Sequence, residues 1–317
     1  MATSPTQDEP AEIPRSIETR TGSDSTTNPR WKLATRVAFR FCFVYFILYS
    51  LSNQIFGGLF PIPKVDIADL GTLWPLRQIT FWTAKHVFRV TYDLVYTGSG
   101  SGDKTFDWVQ TFCLLVIALG VTALWSIADR KRESYPSMYK WFRLFVRFAL
   151  ASEMFLYGFD KIIPVQMPFP FLARLVEPYG KFAPMSVLWY SVGASPSYEM
   201  FAGSAEVLGG VLLLLPRTTT FGALVCLADM IQVFALNMTY DVPVKLFSFH
   251  LILFAVLLLA RDVRRLWSFF FAGRPTGPSN EPQLFRTARK SNRGNCAARV
   301  WRVLNRDEHL RFERELV

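Results

Sequence analysis

Six apolar blocks, joined by shorter polar connections and flanked by polar ends, constrain this chain more than any other feature. A helix needs about 20 mainly apolar residues to cross roughly 30 Å of hydrocarbon. Stretches of that kind run over about 34–60, 107–128, 138–163, 197–215, 218–238 and 244–260, with Pro196 and Pro216 bounding the fourth. Of the 317 residues, 51% are hydrophobic and 19% charged. A soluble protein can reach such totals, so their distribution along the chain decides. It excludes a uniform soluble globule, a disordered chain, a disulfide-rich miniprotein and a collagen-like fibre. The sequence predicts an all-α polytopic membrane protein with six transmembrane helices.

Four regions follow. Residues 1–30 are a polar leader, read as disordered, without the apolar stretch of a signal peptide. Residues 31–136 form a two-span extension with a long outer loop, 137–274 a four-span bundle, and 275–317 a basic tail. The connection 129–140, DRKRESYPSMYK, is dense in basic residues, which places it and both termini on the cytoplasmic side. Outside lie 61–106, 164–196 and the turn 239–243. Residues 73–92 mix Trp, Phe and Ile with Arg77, Lys85 and Arg89, as an interfacial helix does. The Pro- and aromatic-rich 164–196 reads as an ordinary outer loop, with a re-entrant segment or lid as the alternative. Gly98 to Asp103, GSGSGD, reads as a flexible break.

The formal charge of +10 resides largely in the tail and the basic connection. It fits anionic headgroups rather than nucleic acid, which would require a basic folded domain with groove-reading elements. Cys42, Cys113, Cys226 and Cys296 form no CxxC pair, so neither a zinc knuckle nor a dithiol motif is present. Of the histidines His86, His250 and His309, only His250 lies in a span, which removes bis-histidine haem within the bilayer. No paired Glu-x-x-His motif, Walker loop or dinucleotide fingerprint occurs. Redox chemistry would have to come from a bound cofactor or a partner.

Ionisable groups in hydrocarbon cost about 2.5–3.5 kcal/mol each on insertion scales, so each is a candidate site. Arg36 and Arg40 sit near the cytoplasmic end of the first span and are expected to snorkel. With a rise of about 1.5 Å per residue, Glu153, Glu206, Asp229 and His250 fall roughly 9 to 15 Å from the outer ends of four different spans. Sequence depth thus predicts one polar slab. A second layer nearer the outer surface holds Asp160, Lys161, Glu199, Asn237, Asp241 and Lys245. Seven-residue spacing puts Glu153 with Asp160, and Glu199 with Glu206, on common helix faces. Three carboxylates near one imidazole can relay protons, bind a cation or hold a polar headgroup. Alternatively they bond one another and the backbone, and merely fix the packing. Gly203, Ser204, Gly209 and Gly210 allow close helix approach or leave room for a flat ligand.

Residues about 137–270 resemble the DoxX-like family of small four-span membrane proteins. The resemblance is carried by Arg143–Lys161 (RLFVRFALASEMFLYGFDK), by the acidic glycine-bearing run Glu206–Leu215 (EVLGGVLLLL) before Pro216-Arg217, and by Asn237–Leu251 (NMTYDVPVKLFSFHL). It implies a bacterial inner-membrane location and, from its named members, a link to quinone-coupled oxidation beside a soluble or membrane oxidoreductase. On this expectation Glu153, Glu206, Asp229 and His250 exchange protons, and Asp160, Lys161, Asp241 and Lys245 line the outer entrance. A carrier or channel for a small solute or ion, and a non-catalytic scaffold for a partner enzyme, are the competing readings.

Overall fold

The computed structural model describes residues 30–59, 69–97 and 101–277, and within them the chain is helical without a strand. The leader, most of the basic tail, Cys296 and His309 lie outside the described residues. The helices are α1 Leu33–Leu51, α2 Ile55–Leu59, α3 Leu76–His86, α4 Thr105–Ala128, α5 Pro136–Ile162, α6 Leu172–Leu175, α7 Pro184–Gly193, α8 Pro196–Leu214, α9 Thr219–Thr239, α10 Lys245–Leu259 and α11 Val263–Phe270. Prolines open α5, α7 and α8, where the missing N–H costs nothing.

Among the described residues, α1, α4 and α9 are long and apolar enough to cross a membrane, and α10 with α11 makes a fourth candidate bent by 83°. Helix α5 carries Arg143, Arg147, Glu153, Asp160 and Lys161 and stands outside that set, as does α8 with its Glu, Ser and Gly residues. Four long helices close on one another: α5 packs on α8, α8 on α9, α9 on α10, and α10 returns to α5. Helix α1 packs on α4 and α5, α2 on α5, and α3 on α4.

The first apolar block is not one helix. It breaks after Leu51, because the Ser52 hydroxyl turns back to the Leu48 carbonyl at 2.8 Å and the Asn53 side chain takes the Ile55 N–H at 3.1 Å. Short polar side chains compete with the helix ladder for backbone groups, and here they win. Arg40 does not snorkel either. It is 1% exposed, with Nε donating to the Tyr135 hydroxyl at 3.0 Å, Nη1 to Ser126 Oγ at 2.9 Å and Nη2 to the Asp129 carbonyl at 2.9 Å. A charge with that many acceptors is held more firmly by protein than by a headgroup. At the same end Arg30 bonds Glu133, holding its carboxyl below the usual carboxylate range.

Two buried arginines of α5 close the ends of its neighbours. Arg143 donates to the Leu258 carbonyl at 2.7 Å, and Arg147 to the Leu214 carbonyl at 2.9 Å, the last turns of α10 and α8. Those carbonyls have no partner within their own helices, and a cation there also meets the negative end of the dipole. At the other end of α10, Asp103 accepts the Lys245 and Leu246 N–H groups at 2.7 and 2.8 Å. Gly102 N–H bonds the Pro243 carbonyl at 2.8 Å. Residues 101–103 of the expected flexible break are therefore an anchor; 98–100 lie outside the described residues.

Within the expected interfacial stretch 73–92 only Leu76–His86 is helical, burying Thr80, Thr83 and Ala84 and exposing Ile79 and Trp82. The outer stretch 164–196 holds α6 and α7, and α7 packs on α8. Helix α11 exposes Val263, Trp267, Phe269 and Phe270.

The tightest crossing is that of α5 with α8. A Cβ on Gly203 would lie 2.5 Å from the Gly158 carbonyl and 2.7 Å from Lys161 Cβ. Gly203→Leu is expected to cost about 1–3 kcal/mol through overpacking. Gly120→Ala, on α4 where an added Cβ meets nothing within 4 Å, should leave stability unchanged or raise it by up to about 1 kcal/mol. Thermal melts of the two variants in one detergent check this, and equal midpoints would contradict the close crossing.

Candidate functional site

Between α5, α7, α8, α9 and α10 lies a cavity of about 200 Å³. Its polar wall is assembled from three helices. Lys161 of α5 forms an ion pair with Glu206 of α8, and Glu206 is 2% exposed. Asp229 of α9, half-buried, lines the same cavity within electrostatic reach of both. Glu206 and Asp229 each keep one carboxylate oxygen, Oε2 and Oδ2, without a hydrogen-bond partner among the described residues. Asn237 donates to Ser248 Oγ at 3.0 Å on the α9–α10 side. The remaining lining is mostly apolar and aromatic. From α7, Leu188, Trp189 and Val192 close it, with Trp189 Nε1 tied to the Gln166 carbonyl at 3.0 Å.

Two carboxylates face one ammonium. If all three are ionised, one negative charge stays uncompensated in low dielectric, so the site calls for a proton or a hydrogen-bonding or cationic ligand. Among the described residues no group of three His, Cys, Asp or Glu side chains is placed to hold a metal ion.

Glu206 and Asp229 thus meet as their depths predict, whereas Glu153 and His250 do not join them. Glu153 is 0% exposed and sits beneath α2, where a Cβ on Gly58 would come within 3.0 Å of its Oε1. Its Oε2 accepts from Gln54 Nε2 at 2.9 Å, and the same nitrogen donates to the Tyr157 hydroxyl at 2.8 Å. His250 stacks on Tyr49, ring centroids 3.7 Å apart and 7° from parallel. Its Nδ1 bonds the Leu246 carbonyl at 2.7 Å and its Nε2 the Tyr45 hydroxyl at 2.7 Å. A carbonyl only accepts, so Nδ1 carries the proton, and Nε2 of the neutral ring accepts from Tyr45. Both ring nitrogens are spent on structure. Depth counting had no means of assigning azimuth, and azimuth is what separates these groups.

The expected outer layer also disperses. Lys161 and Asn237 both line the cavity, Lys161 through its pairing with Glu206. Glu199 is buried and accepts the Met167 N–H at 2.9 Å, which fixes the chain leaving α5. Asp160 is half-buried, and its backbone carbonyl takes the Val165 and Gln166 N–H groups at 3.0 and 3.2 Å. Asp241, its side chain 81% exposed, pairs with Lys245 at 2.7 Å, and Lys245 lies 3.9 Å from Asp103. These two belong to the start of α10, not to the cavity. Tyr157 and Trp189 were missed. Tyr157 lies four residues from both Glu153 and Lys161, so helical spacing alone could have found it.

The fold and site define an all-helical protein with several helices apolar enough to span a membrane and a buried charged pair on a small cavity. The chain is 32% identical over 139 residues to a Bacillus subtilis (strain 168) protein called uncharacterized protein YwoB, a match taking in 44% of this chain and 84% of that one. It belongs to the family of that protein. No family model matches the chain, and no solved structure matches it.

Lys161→Met alone strands Glu206 and Asp229 and is expected to cost about 3–5 kcal/mol. Glu206→Leu leaves Asp229 to answer the ammonium and should cost less, and the double replacement, which leaves only Asp229 unanswered, should recover part of the Lys161→Met loss. Denaturation midpoints of the three variants decide it. A double variant no more stable than Lys161→Met would mean the pair is not coupled.

Proposed function

We propose that the chain is an integral protein of a bacterial cytoplasmic membrane, crossing it six times with both ends inside, and that α5, α8, α9 and α10 form a DoxX-like bundle. Its cavity binds a small molecule with a hydrogen-bonding head and an apolar body, a quinone ring first among them. The protein then serves as the quinone-linked membrane subunit of an oxidoreductase whose cofactor a partner supplies.

The observation that carries this reading is the Lys161–Glu206 pair with Asp229 on one wall of an otherwise apolar cavity. An ammonium suits a carbonyl oxygen, a carboxylate suits a hydroxyl, and an oxidised and a reduced ring would meet complementary groups in the same place. Six crossings are supported by where the charges of α5 and α8 go. Lys161 and Glu206 neutralise each other, and Arg143 and Arg147 lie against helix ends, so little charge on these helices is left for lipid. The 83° bend into α11, with Arg264 and Arg265 beside exposed Trp267 and Phe270, suits a chain leaving the bilayer and lying along its surface.

The test uses Trp189, which lines the cavity. Purified full-length protein in detergent is titrated with decylubiquinone while tryptophan fluorescence is followed. Saturable quenching is expected, diminished in Trp189→Phe and shifted about ten-fold or more to higher concentration in Glu206→Gln. Absence of saturation in the wild type would refute the quinone reading. Proton flux through the protein in liposomes, abolished by Asp229→Asn, would favour transport instead.

A further inference from the structure

The hydrogen bonds of Gln54 contain an asymmetry that reaches the cavity. One atom of its amide, Nε2, bridges Glu153 and Tyr157 at 2.9 and 2.8 Å. An amide nitrogen has two hydrogens and here spends both, so the Tyr157 oxygen is an acceptor from Gln54 and its own proton is free to point elsewhere. Tyr157 lines the cavity, and so does Lys161 one turn away. With Glu153 ionised, no other orientation of the amide is acceptable, since an amide oxygen would face a carboxylate.

A protonated carboxyl keeps one acceptor oxygen and gains a donor, so protonation of Glu153 opens a second arrangement with every bond reversed. Its hydroxyl then donates, the amide oxygen takes the bridging place and accepts twice, and Tyr157 turns its proton to Gln54. The exchange is a half-turn about the last torsion of Gln54. That residue is exposed, so the amide atom turned away meets no buried neighbour it would strand. Glu153 Oε1 has no hydrogen-bond partner among the described residues, which leaves Gln54 as the group that answers a change of its charge. Among the described residues, Tyr49 of α1, Tyr157 of its own helix and Asp69 ahead of α3 are titratable groups within electrostatic reach of Glu153, and Asp160 and Glu206 are within reach of Tyr157.

We propose that Gln54 is a hydrogen-bond switch that converts the protonation state of Glu153 into the choice of Tyr157 as donor or acceptor toward the ligand in the cavity. Ionised Glu153 presents a phenol proton to an acceptor oxygen such as a quinone carbonyl, and protonated Glu153 withdraws it. Tyr157 is the binding residue, while Gln54 and Glu153 are positioning residues. The inference rests on the cavity being a ligand site of the class proposed above.

Two measurements on the full chain in detergent separate the ideas. In the decylubiquinone titration, wild-type affinity should rise about five- to ten-fold from acid to alkaline pH, the worth of one hydrogen bond. Tyr157→Phe should bind weakly at every pH. Glu153→Gln and Gln54→Leu should lose the pH step. Independently of any quinone, the tyrosine ring doublet in the Raman difference between wild type and Tyr157→Phe should pass from a phenol that accepts from Gln54 to one that donates to it as pH falls. Quinone binding with an unchanging doublet and no pH step overturns the switch and leaves the site standing. A moving doublet without quinone binding keeps the switch and overturns the ligand reading. Should Glu153→Gln fail to fold, Gln54→Leu at an exposed position still decides, because a pH step that survives it comes from Glu206 or Asp229 in the cavity and overturns the switch.

Discussion

An ammonium and a carboxylate withdrawn from water between two helices cost several kcal/mol each unless they are paired, and in this molecule Lys161 and Glu206 are withdrawn together as an ion pair. The rest of the bundle is arranged around it. Gly158 and Gly203 let α5 and α8 approach until backbone nearly touches backbone, and a Cβ on Gly203 would strike the base of Lys161 itself. The glycines are therefore not only a packing device. They set the reach over which the lysine must extend, and so place the ammonium against Glu206 rather than at the membrane surface. Asp229 then arrives from α9 as a second carboxylate on the same charge, which turns a structural pair into a site with an unmet need.

Residues 31–136, which hold α1 to α4, are built into the bundle rather than appended to it. Asp103 caps α10 from the chain just ahead of α4, Tyr45 and Tyr49 hold His250, and Gln54 reaches Glu153 and Tyr157. At the opposite end Arg40 gathers Tyr135, Ser126 and the Asp129 carbonyl, binding α1 to α4 and to the connection before α5. The contacts of Asp103, Tyr45 and Gln54 each complete a polar group that the four-helix block would otherwise leave open. The match to the Bacillus subtilis relative takes in 44% of this chain, so more than half of it lies outside that common length. Residues 31–136 supply partners that the block uses.

Helix positions were legible because apolar blocks bounded by proline and basic connections state both ends of a helix: α4, α5, α8, α9 and α10 fall within two residues of expectation. The break after Leu51 was not legible. Ser52 and Asn53 are unremarkable inside an apolar run until their side chains choose backbone partners, a choice settled by what α2 packs upon. In the site, depth followed from counting, and Glu206 with Asp229 obeyed it. Azimuth did not, since one sequence shows which residues share a helix face but not which neighbour that face meets. Glu153 therefore turned to α2 and His250 to α1. Lys161 is a related case: a long side chain carries its charge several ångströms from its Cα, in a direction that depth along the helix does not state.

The break after Leu51 decides how α2 and Glu153 meet. A continuous helix over 34–60 would satisfy its own backbone and would carry Gln54 round with its turn, with no need of Glu153. Breaking it releases backbone groups that Ser52 and Asn53 must satisfy, and swings the short α2 onto α5, where Gly58 fits above the Glu153 carboxylate. A buried acid with an unpartnered oxygen is an expensive feature to cover with a helix of five residues. What the arrangement gains is contact between the acid and one amide that can reorient, on a residue still open to its surroundings.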